Sequence, residues 1–118
     1  MEIITNVQQI NESLKALNIV RAQIWLFDIS HKRLAIRLSF NENDKIAYII
    51  MINCEYIQGF FSVDNPTFSV SQFLNNVSLE NMYKMIDEDN NFELISGGIV
   101  LVIGEESKFG DDFENFLM

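Results

Sequence analysis

Cysteine, histidine and proline occur once each in these 118 residues, and glycine only five times. A single cysteine, Cys54, allows no internal disulfide, which fits a reducing compartment. One histidine and one cysteine fall short of the several ligands a zinc site takes. A serine-histidine-acid triad would have to recruit His31, and no Gly-x-Ser-x-Gly turn exists to present the serine. No Walker loop and no G-x-G-x-x-G run occurs, so nucleotide binding lacks its usual phosphate cradle. So little proline and glycine leaves no linker or low-complexity tract, and no internal repeat is found. The longest apolar run, Ile46 to Ile52, is far short of the ~20 residues a membrane-spanning helix needs. The opening MEIITNVQQINE begins acidic and turns polar, unlike a signal peptide. The expectation is one soluble, cytoplasmic domain over residues 1–118, without membrane contact or cofactor.

What is present is ordinary globular composition, 48% hydrophobic and 21% charged. Thr5-Asn6-Val7-Gln8 has capping-box spacing, and Val7, Ile10, Leu14 and Leu17 follow at helical intervals, with Asn18 placed to end the helix. From Val20 the period becomes two: Val20, Ala22, Ile24 and Leu26 alternate with Arg21, Gln23, Trp25 and Phe27, which predicts a strand. After the polar turn Asp28 to Lys32, Leu34, Ile36, Leu38 and Phe40 alternate with Arg33, Ala35, Arg37 and Ser39. Asn41 to Asp44 reads as a turn, and Ile46 to Ile57 is apolar on both faces, as in the middle of a sheet. These three strands form a meander.

Gln58 to Pro66 reads as an irregular connection, and Thr67 to Val70 as a short edge strand, the role Pro66 permits. Ser78 is placed to cap a middle helix carrying Leu79, Met82, Tyr83 and Ile86. FELIS, Gly97-Gly98 and IVLVIG predict a two-residue hairpin. Asp111 is placed to cap a short final helix presenting Phe113, Phe116 and Leu117. The expected fold is α+β, with an antiparallel sheet of five to six strands (the meander plus the hairpin) and three helices.

Alternation puts Cys54 on one face with Tyr48, Ile50 and Ile52, an inert thiol in packed side chains. A catalytic thiol needs a partner that lowers its pKa. His31, in the turn before the second strand, is expected far from Cys54 along the hairpin. Glu55 falls on the opposite face and reads as a solvent-facing carboxylate. Asp87-x-Asp89-x-Asn91 copies the opening of a calcium loop, but the sixth position is Phe92 and the twelfth Gly98, where glycine and glutamate belong. No catalytic or metal-ligating set emerges.

The charge is lopsided. Residues 1–59 hold six acids and six bases, whereas residues 60–118 hold eleven acids with only Lys84 and Lys108, so the net −9 belongs to the second half. A hairpin at Gly97-Gly98 would set Asp89 opposite Glu106 and gather Asp87, Glu88, Glu93 and Glu105 with Asp111, Asp112 and Glu114. These nine carboxylates are the expected partner-binding residues. Clustered acids repel one another unless a cation or a basic partner offsets them, and their field speeds encounter with such a partner. Direct nucleic-acid binding is disfavoured, because phosphates need lysine and arginine.

The leading expectation is therefore a non-enzymatic module that binds a basic protein. An immunity or inhibitor protein against a nuclease-type toxin fits the size and charge. The element order is also similar to that of type III secretion chaperones, small acidic dimers, and this resemblance implies a homodimer. A third alternative is an enzyme or small-ligand protein whose pocket takes Tyr48, Tyr56, Trp25 and neighbouring acids.

Overall fold

A computed structural model describes residues 2–41, 45–105 and 109. Among these residues the chain forms one α-helix and eight strands: β1 (Glu2–Ile4), α1 (Val7–Ala16), β2 (Ile19–Asp28), β3 (Arg33–Phe40), β4 (Lys45–Gln58), β5 (Ser62–Asp64), β6 (Ser69–Leu74), β7 (Asn81–Asp87) and β8 (Phe92–Glu105). The strands make one antiparallel sheet in the order β5-β2-β3-β4-β8-β7-β6, with β1 on β8. It curls: Phe68 and Phe92, from the β6 side, meet Ala22, Ile24 and Val63 from the other edge.

α1 forms as its periodicity predicts, but Asn6 rather than Thr5 caps it, Oδ1 accepting the Gln9 N–H at 3.1 Å. Ile10 and Leu14 are buried, and Asn18 takes the positive φ that ends the helix. The meander β2-β3-β4 is as expected. Leu34, Ile36, Leu38, Ala47, Ile49 and Met51 face the concave core, while Ala35, Ile46, Tyr48 and Ile50 form a second apolar cluster on the convex face.

Two expectations fail where strand pairing overrides a local signal. Residues 78–86 are not a helix: Asn81–Asp87 is strand β7, held between β6 and β8. Met85 is buried, whereas Leu79, assigned to the helix face, is exposed. Gly97-Gly98 is not a turn either, because β8 runs unbroken from Phe92 to Glu105 and pairs with β4 along its length. β8 instead changes partner on its other side, from β7 at residues 92–96 to β1 at 101–103. With β1, β5 and β7 added, the sheet is larger than five or six strands, and the element order of type III secretion chaperones does not occur among the described residues. The expected final helix from Asp111 lies outside the described residues.

Candidate functional site

The site begins with one backbone irregularity. At Asn53 the chain takes φ 54°, a conformation asparagine tolerates better than most residues. A register shift against β8 follows, with Cys54 opposite Ser96 and Tyr56 opposite Ile95. An extra residue of this kind reverses which face the following side chains take. Cys54, which precedes the extra residue, already packs against the concave core and not beside Tyr48 and Ile50 on the convex face as simple alternation predicts, so the backbone conformation at Asn53 sets its face.

Beyond this bulge β4 opens a cleft of about 310 Å³ at one end of the curled sheet. Ile24, Leu34 and Leu94 form its apolar floor. Phe27, Tyr56, Ile57 and Phe61 line it as well, and each remains substantially in solvent, from 44% for Tyr56 to 78% for Phe61. Phe60, next along the chain, is 76% exposed. Most large apolar side chains of a small domain are covered, so several of them around one concavity mark a surface used for binding.

Two polar groups enter the cleft. Cys54 Sγ lies 3.6 Å from the Met51 carbonyl. Burial first, and the neighbouring Glu55 charge second, push the thiol up to about 11, away from the thiolate a nucleophile needs. Its separation from the His31 turn is overturned: the Cys54 N–H donates to the Lys32 carbonyl at 2.8 Å. The two segments are neighbours because the start of β3 pairs with the far end of β4. His31 Nδ1 is engaged by Asp28 Oδ2 at 3.0 Å, and Arg33 holds the same oxygen at 2.7 Å. Arg33, and then His31, hold the Asp28 carboxyl down at about 2. Glu55, the second polar group, is exposed and has no hydrogen-bond or ion-pair partner among the described residues.

The acids expected to converge have different fates. Asp87 is buried and structural: Oδ2 accepts the Thr67 N–H at 3.1 Å and an Asn90 Nδ2 hydrogen at 2.6 Å. Glu88 and Asp89 are exposed on the short 3-10 turn Glu88–Asn90. Glu93 is paired with Lys84 at 3.0 Å. Glu105 is exposed at the opposite end of β8, in register with Lys45, about 40 Å along the strand from Glu93. Without a hairpin, β8 separates Asp89 from Glu105 instead of folding them together. Glu106, Asp111, Asp112 and Glu114 lie outside the described residues. No three histidine, cysteine or acidic side chains gather to hold a metal ion among the described residues.

Of the aromatic residues proposed for a ligand pocket, only Tyr56 reaches the cleft. Tyr48 and Trp25 belong to the convex cluster, where the Tyr48 ring meets Phe109 edge-on at 4.9 Å and the Arg37 guanidinium lies 4.4 Å over Trp25. Phe27 and Ile57 were not anticipated, and the available signal was that apolar residues continue through Ile57, Phe60 and Phe61 past the end of a strand. No helix among the described residues is long and apolar enough to cross a membrane. No protein-family model matches the chain, and neither the curated proteins nor the solved structures give a match.

Proposed function

We propose that this chain is a non-enzymatic protein-binding module that captures a basic partner, taking an apolar side chain of that partner into the cleft beside Glu55. The observation that carries this reading is the group Phe27, Tyr56, Ile57 and Phe61, all exposed around one concavity. Covering a large apolar side chain is worth roughly 1.5–3 kcal/mol, so four half-open ones form a strong anchor site. Charge selects the kind of partner. The chain carries −9, and Glu55 stands unpaired at the cleft, so a lysine or arginine next to the inserted side chain would be favoured and an acidic segment repelled. An immunity or inhibitor protein that neutralises a basic, nuclease-type toxin has this combination of size, charge and anchoring surface.

The test uses two labelled peptides with the same central phenylalanine, one flanked by lysines and one by glutamates, titrated by fluorescence anisotropy. The basic peptide binds, weakens with salt, and loses about tenfold or more on Phe61→Ala; equal binding of both peptides, or indifference to Phe61→Ala, overturns the reading. A second reading, a small apolar ligand, is favoured by the cleft volume of about 310 Å³, near the lower bound of ligand sites. It predicts binding of an uncharged aromatic compound that salt does not weaken.

A further inference from the structure

β6 is the last strand on its side of the sheet, and its outer edge is only partly closed. Asn11 of α1 covers Val70, its Oδ1 accepting the Val70 N–H and its Nδ2 donating to the Val70 carbonyl, both at 2.8 Å. One side-chain amide thus imitates one residue of a neighbouring strand. Because backbone groups of a strand alternate in direction, the N–H and C=O of Gln72 and Leu74 point outward with those of Val70. Nothing among the described residues covers them. Phe73, Leu74, Val77 and Leu79 are exposed there, Val77 at 95%, and Leu79 holds φ 60° in the turn. Natural edges are usually blunted by lysine, proline or a bulge, and residues 72–74 have none of these.

We propose that two copies of this chain pair antiparallel through these outer β6 edges, about a two-fold axis at Phe73. Gln72 of each copy then faces Leu74 of the other as a hydrogen-bonded pair. Phe73 meets its symmetry mate as a non-hydrogen-bonded pair, with Cα atoms about 4.5 Å apart. The occupant is a second copy because of charge. Each copy carries −9, and the fifteen residues from Asn65 to Leu79 contain no charged side chain, so this surface can approach its own kind with least repulsion. The same neutrality gives a basic partner no purchase. An antiparallel pair about a two-fold also needs no second sequence, since the edge complements itself.

Sedimentation velocity on the whole chain tests this. The wild type is expected to be dimeric, and more so at high salt, which screens the like charges; binding of a basic partner at the cleft should respond to salt in the opposite sense. Gln72→Pro removes an outward N–H, a change an edge strand accommodates, and should give a monomer with unchanged circular dichroism. Leu74→Glu, at an exposed position, should give a monomer independently of any proline effect. Phe73→Cys in a Cys54→Ser chain should oxidise to a linked dimer, the expected Cα spacing lying within the 4.4–6.8 Å range of disulfides. A wild-type monomer at the highest attainable concentration, a dimer that survives Leu74→Glu, or a Phe73→Cys chain that does not cross-link overturns the proposal.

Discussion

Gly97 lies against Asn53: a Cβ placed on Gly97 would come 3.2 Å from Asn53 Nδ2 and 3.3 Å from its Cβ. The glycine on β8 is thus the space into which the β4 bulge fits, and it keeps ordinary negative φ while doing so. Gly97→Val should crowd the bulge and destabilise the fold by about 1–3 kcal/mol. Asn53→Val, which forces a β-branched residue into φ 54°, should cost about 1–2 kcal/mol. Urea unfolding midpoints measure both, and unchanged midpoints would show that the bulge is not anchored this way.

Cys54 should be a slow thiol. With its pKa raised from an ordinary 9 to about 11, the thiolate fraction at neutral pH falls about a hundredfold. Iodoacetamide labelling of the native chain should therefore be slowed by about that factor relative to the chain in denaturant. Equal rates would mean that the cleft floor is wetter than its packing implies.

The turn between β2 and β3 should respond to acid through Asp28. Its carboxyl is depressed to about 2 by Arg33 and His31, so the stabilisation it adds is complete above the ordinary carboxylate range near 4. It is lost as pH falls through about 2. Asp28→Asn should lower the melting temperature at neutral pH, and its deficit against the wild type should disappear by about pH 2. A deficit that stays constant with pH would assign the effect to something other than ionisation.

Acids adjacent in sequence should behave differently on removal. Asp87→Ala strips the acceptor from the Thr67 N–H and from Asn90, an expected loss of about 1–3 kcal/mol. Glu88→Gln and Asp89→Asn, on the exposed turn, should stay within about 0.5 kcal/mol of wild type. Thermal melts of the three variants separate these cases. Equal effects would mean that Asp87 contributes charge alone.

The meander was legible because its signals are local: strict alternation in β3, apolar residues on both sides of β4, and polar turns between. β7 was not, since Met82, Tyr83 and Ile86 satisfy a helical stripe while Tyr83 and Met85 also suit one face of a pleated strand. Only hydrogen bonding to β6 and β8 decides between the two, and the pattern within residues 81–87 carries no sign of either partner. Gly97-Gly98 misled for a different reason, glycine serving here to admit the Asn53 side chain of the neighbouring strand instead of reversing the chain. The cleft was hidden in turn, because its lining depends on a parity change at Asn53 that no apolar pattern announces. Phe60 and Phe61 fall in the stretch from Gln58 to Pro66 that reads as an irregular connection, and such a reading does not say that they border a concavity.

β1 leaves the ribosome ahead of every other described strand, yet its register partners are Leu101, Val102 and Ile103. At about 5–20 residues per second, those partners emerge several seconds after it. Ile4 and the buried side of α1 must wait through that interval, and the sheet closes only once synthesis has delivered β8. A pause in translation, or any cargo fused ahead of Glu2, would therefore act on the last stage of assembly.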